Sequence, residues 1–149
     1  MNCKLRFAKN TAVLRPLPFI LLFFPPTRTT AQTPLPPSRV IEVVADHDSR
    51  YRIAGQKRAE ITVKAGEELT LRITATKAKN VNREGSIHGF TLLRAKDRTS
   101  VDGWDFPLKP GTQEFSVRAP EVPGEYLVVC TVICSEDHEG MTMRFVVLP

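Results

Sequence analysis

The chain has 149 residues and carries 21 Lys+Arg against 16 Asp+Glu, a formal net charge of +5. That length holds one domain with a core large enough to fold unaided, and it excludes a large multidomain enzyme. A basic balance invites a nucleic-acid or anionic-membrane reading, but residues 1–31 hold five basic side chains (Lys4, Arg6, Lys9, Arg15, Arg28) and no acidic one, which leaves 16 of each sign in residues 32–149.

The N-terminal segment has the three parts of a secretory signal. Lys4, Arg6 and Lys9 form a positive start, Leu17–Phe24 a short apolar stretch, and Thr29-Thr30-Ala31 a small-residue cleavage site before Gln32. The apolar stretch is far shorter than the roughly 20 residues that cross a bilayer as a helix. Pro16, Pro18, Pro25 and Pro26 around it also oppose a long helix. Residues 1–31 are therefore expected to be a signal peptide, with an uncleaved anchor as the alternative. Residues 32–38 read as an extended Pro-rich leader, and 39–149 as the folded domain. The expected location is periplasmic or secreted, with no membrane span in the mature chain and no nucleic-acid partner.

The folded segment reads as β throughout. In chain order, strands are expected at Val40–Ala45, Ile61–Lys64, Leu69–Thr74, Ile87–Leu93, Glu114–Arg118, Tyr126–Val132 and Thr142–Leu148. Several alternate apolar and polar side chains with period two, as half-buried strands do. Ala65-Gly66, Lys109-Pro110-Gly111 and Val122-Pro123-Gly124 supply turns between them. Ala75–Arg83 has room for a helical turn, and Ala95–Gly111, with the single Trp104, reads as the longest irregular connection. The pattern predicts an all-β fold, an antiparallel β-sandwich. Trp104 is read as a loop anchor, Met143 as core and His47, between Asp46 and Asp48, as a solvated surface residue.

The chemistry is concentrated between Cys130 and Met141. Cys130, Cys134, His138 and Met141 lie within twelve residues, between two expected strands. Thiolate and thioether sulfur are soft ligands that select copper, and imidazole suits it in both oxidation states. Zinc prefers four strong Cys or His ligands, for which a methionine is a poor substitute. His88, at the start of an expected strand, is the candidate for a further imidazole. Two thiols in an exported chain also suit a structural disulfide, which accounts for neither His138 nor Met141. A mononuclear site using one cysteine, and a copper-delivery or storage protein with the same ligands, remain alternatives. No nucleophile–base pair, phosphate loop or carboxylate pair with a clear role occurs, so no catalytic site is expected.

The spacing Cys130-x3-Cys134-x3-His138-x2-Met141, with His88 upstream and a strand following, resembles the binuclear copper (CuA) site of cupredoxin domains. Such domains occur in cytochrome c oxidase subunit II and in nitrous oxide reductase. The resemblance covers about Val40 to Leu148 and is concentrated in Pro123–Leu148. It implies a Greek-key β-sandwich of cupredoxin type holding two copper ions. Cys130 and Cys134 would bridge the ions, His88 and His138 would each bind one, and Met141 and the Val132 carbonyl would be weak axial ligands. A one-electron relay follows, with cytochrome c or another redox protein as partner, including service to a terminal oxidase. Two departures stand out. Val132 replaces the usual glutamate of subunit II, and Gly85 stands where an aspartate often precedes the first histidine. Glu136, Asp137 and Glu139 around His138 are either a solvated rim or an acidic patch for a basic partner.

Overall fold

The computed structural model describes residues 38–136 and 138–149. The expected signal peptide and all but the last residue of the leader lie outside them. Among the described residues, nine strands form two sheets: β1 Arg39–Ala45, β2 Tyr51–Arg52, β3 Glu60–Lys64, β4 Glu68–Ala75, β5 His88–Arg94, β6 Ser100–Leu108, β7 Gly111–Arg118, β8 Gly124–Val129 and β9 Thr142–Leu148. One sheet has the order β2-β1-β4-β7 and the other β3-β9-β8-β5-β6. The expected all-β sandwich is present. No helix among the described residues is long and apolar enough to cross a membrane.

Alternation builds the core. In β4, Leu69, Leu71, Ile73 and Ala75 are buried, while Thr70, Arg72 and Thr74 between them are only partly covered. In β9, Met143, Phe145 and Val147 point inward and Arg144 stays exposed. These apolar faces meet in a core completed by Phe90, Leu92, Leu108 and Val128, and burying each such side chain contributes about 1.5–3 kcal/mol. Met143 is core, as expected.

Three expectations need correction. The sandwich is not wholly antiparallel: β1 runs parallel to β4, with Ile41 opposite Leu71, and β3 runs parallel to β9, with Ile61 opposite Phe145. Between β1 and β4 the chain visits the other sheet through β3, so no hairpin forces these neighbours to reverse. The supposedly irregular Ala95–Gly111 contains the longest strand, β6. It lies at a sheet edge, where Gly103 and Pro107 are tolerated and alternation is weak. Trp104 sits within it as an anchor, its Nε1–H donating to the Arg118 carbonyl at 3.1 Å and its ring edge-on to Phe145. Finally, residues 76–87 hold no helical turn. The Asn82 side chain accepts from the backbone N–H of Glu84 and Ser86 and closes a non-helical turn instead.

Candidate metal centre

β5 and β8 are neighbours, and their antiparallel register sets Thr91 opposite Val129. β8 ends there, one residue before Cys130 and earlier than the pattern suggested. The same geometry carries the start of β5, with His88 and Gly89, alongside the segment that begins at Cys130. Residues 130–141 then return to β9 through a short 3-10 turn, His138–Gly140. The Cys130 N–H donates to the Met141 carbonyl at 3.2 Å, closing the base of the loop.

His88, Cys130 and Cys134 come together, with their ligating atoms all within 4.8 Å of one another. His88 and Cys134 have no exposed surface and Cys130 retains 7%. The thiols are free, with 3.7 Å between the two Sγ atoms. That is far beyond the roughly 2.05 Å of a disulfide. It is within the span two sulfurs cover when both bind one ion at about 2.3 Å each. Neither ring nitrogen of His88 makes a hydrogen bond with the described residues. An orphaned buried imidazole is costly unless a group from outside the amino-acid chain satisfies it, and a metal ion facing two thiols fits that need. Burial lowers the His88 pKa, against the opposing pull of the Thr76 and Asp46 backbone and the Asp46 carboxylate. The ring is therefore held neutral, the state in which it binds metal.

Met141 is fully buried at the end of the loop, and Val132 is buried with its carbonyl 3.3 Å from the Cys130 Sγ, which donates to it. The Val132 carbonyl also accepts from the Cys134 N–H at 2.7 Å, so it is fixed between the two cysteines. His138 lies on the 3-10 turn; its side chain, and Asp137, fall outside the description. Glu136 and Glu139 are exposed. His47 is a surface residue, 72% exposed and paired with Asp48 at 3.2 Å.

Two residues that support this arrangement, Gly89 and Tyr51, were assigned no role from the sequence. Gly89 is in register with Pro107 of β6, but on its other side β8 pairing stops at Val129, so its N–H and carbonyl find partners outside the strands. Cys130 Sγ accepts from that N–H at 3.2 Å, and the buried Tyr51 hydroxyl donates to that carbonyl. Burial raises the Tyr51 pKa well above its ordinary value, with the neighbouring cysteines adding to it, so it stays a donor. A glycine following a candidate histidine within a strand was the available signal, since such glycines mark close backbone approach. Ser49 adds a third support, its Oγ 3.8 Å from the Cys134 Sγ and 2.7 Å from the Ser135 hydroxyl. Tyr51→Phe should cost about 1–3 kcal/mol through the abandoned Gly89 carbonyl. Urea unfolding of the copper-free protein measures it; an unchanged midpoint would show that the hydroxyl bond contributes nothing.

No family model matches the chain, and no curated protein does. Solved structures do. Auracyanin A, a "blue" copper protein from Chloroflexus aurantiacus, is 22% identical, with 73% of this chain and 98% of that chain covered and a TM-score of 0.52. Auracyanin B is 19% identical over 78% and 94% of the two chains, with a TM-score of 0.50. Rusticyanin from Thiobacillus ferrooxidans is 18% identical over 74% and 79%, also at 0.50. The class defined by these likenesses is the two-sheet β-sandwich. Within that class, this chain has the cupredoxin fold.

Proposed function

We propose that this chain is an exported copper protein that transfers single electrons through a binuclear, thiolate-bridged centre of the CuA type. The observation that carries the reading is the pair of free, buried thiols 3.7 Å apart, facing a buried His88 whose ring nitrogens are both unpartnered. His88, Cys130, Cys134, His138 and Met141, with the Val132 carbonyl, would hold the two ions. When bound, they supply a one-electron couple. The chain's own contribution is rigidity and exclusion of water. Cys130 is held by Gly89 and Met141 backbone groups, and Cys134 by the Val132 carbonyl and by its own carbonyl, which accepts from the Asn80 N–H at 3.0 Å. Ligands fixed in this way move little between oxidation states.

The likeness to auracyanin A favours a second reading, a mononuclear blue-copper site. That reading leaves one fully enclosed thiol without a role. Copper delivery or storage would use the same ligands. Reconstituting the full chain with copper separates these readings. Two ions per chain and a purple mixed-valence spectrum support the bridged centre, whereas one ion with a single intense blue band overturns it. Electron exchange with a cytochrome c supports the relay, and copper transfer to an apo acceptor supports delivery.

Proton release gives an independent check. Burial pushes the Cys130 thiol from 9.0 up to about 11, with Cys134 adding to it and the Gly89 N–H opposing. At pH 7 the metal-free thiol is therefore protonated, and copper must displace that proton. Uptake should acidify a weakly buffered solution by at least one proton per chain from this thiol, and affinity should weaken as pH falls. A pH-indicator titration reads this directly. Uptake without proton release would show that Cys130 does not bind as a thiolate.

A further inference from the structure

A groove of about 1240 Å³ opens where the two sheets part, between the edge strands β2 and β3 and the start of β9. Six of the 16 cationic side chains in residues 32–149 line it: Arg39, Arg50, Arg52, Lys57, Arg58 and Arg144. Among the described residues, Glu60 is the one carboxylate on its walls, against 16 in the same segment. A domain neutral overall thus concentrates positive charge on one face. Three of these cations are balanced locally. Arg52 pairs with Asp46, Arg144 with Glu60 and Glu125, and Arg39 lies 3.6 Å from Glu67. The side-chain cations of Arg50, Lys57 and Arg58 form no ion pair among the described residues, and all three residues are exposed on the 50–58 segment; only the Arg50 backbone N–H reaches a carboxylate, that of Asp46.

We propose that this groove docks an acidic surface of a partner protein. Unpaired cations gathered in a concave site focus the field and raise the encounter rate with an anionic partner. Its volume exceeds the roughly 300–1,000 Å³ of small-molecule pockets, so a single small anion would leave most of it unfilled. Its lining also includes Val44, Ile53, Ala59 and Leu127, which offers apolar contact among the charges, as a protein interface does. A flat bilayer cannot follow a concave wall, which sets a lipid surface aside. Gly140 and Thr142, on either side of Met141, also line the groove. A partner seated there touches the loop that carries the candidate ligands. The docking itself does not need copper; that the partner is the redox partner rests on the function proposed above.

The test uses the ¹⁵N-labelled full chain and a decaglutamate peptide as probe. Amide shifts are expected to be saturable and centred on residues 50–62 and 140–144, with the groove residues Arg39, Val44 and Leu127 beside them, and affinity should fall roughly ten-fold or more as added salt shortens the Debye length from about 30 Å to about 8 Å. Arg50→Glu, Lys57→Glu and Arg58→Glu together break no ion pair, so the fold should persist while binding is lost. Equal binding by that variant, shifts centred elsewhere, or no shifts overturn the proposal. So does displacement of the peptide by equimolar inorganic phosphate, or binding to phosphatidylserine vesicles without binding to the peptide. The copper spectrum, read on the same sample, keeps the two readings apart. Failure to dock leaves the spectrum intact, and failure to form the paired centre leaves docking intact.

Discussion

Serine in place of either Cys130 or Cys134 is expected to abolish the paired-copper spectrum and to weaken copper binding by more than 100-fold. The magnitude follows from comparison with outer-shell partners, whose loss alone costs about 10–100-fold in affinity; a direct sulfur ligand contributes more. Serine is close to cysteine in volume, so these changes test chemistry more than packing. A hydroxyl is a hard, weakly acidic ligand, where copper favours soft sulfur. The two variants discriminate between readings because they should behave alike. In a bridged centre each sulfur touches both ions, so either change removes the unit. In a mononuclear centre one of the two variants keeps a full blue spectrum. In a disulfide-linked protein the unsubstituted full chain shows only the Cys3 thiol before copper is added, against three in the bridged reading. Metal content, absorption spectrum and thiol titration on the three proteins resolve all of these outcomes. Retention of the two-ion spectrum by Cys130→Ser would remove Cys130 from the site.

Much of this arrangement was legible before the structure, for a physical reason that also explains the omissions. β4 and β9 announce themselves because each buries one face, and side chains two residues apart share that face. The candidate loop could be singled out because Cys130, Cys134, His138 and Met141 are local in sequence, so their spacing carries information without the fold; of these, the structure brings Cys130 and Cys134 together with His88. β6 was missed because an edge strand needs only weak alternation and accepts Pro107. The parallel pairings were missed because they depend on which sheet the intervening strand joins. Tyr51 and the groove cations were missed for the same reason. Their meaning lies in proximity between segments as distant as Arg39 and Arg144, and no local pattern encodes it.

Gly89 is where these two kinds of information meet, and Gly89→Ala is expected to be the most damaging small substitution near the site. A Cβ there would lie 2.6 Å from the Thr131 Oγ1, 2.8 Å from the Thr131 backbone nitrogen and 3.4 Å from that of Val132. A flexible side-chain end could swing aside, but the backbone nitrogen belongs to the candidate ligand loop and can retreat only by carrying Cys130 and Val132 with it. Thr131 is also tied down. Its hydroxyl lies 3.0 Å from that of Thr91, which donates to Asp105 at 2.5 Å. Overpacking of this kind costs about 1–3 kcal/mol. Displacing the loop also strains the Gly89 N–H bond to the Cys130 Sγ and the Tyr51 bond to the Gly89 carbonyl. The expected result is a loss of about 2–4 kcal/mol by urea unfolding, together with loss or gross distortion of the copper spectrum. Adding Thr131→Ala should recover only part of the loss, because it relieves the hydroxyl contact and leaves the backbone one. Full recovery in the double variant would place the conflict at the side chain. A Gly89→Ala protein with wild-type stability and spectrum would show that the loop is not held against β5 as closely as this geometry requires.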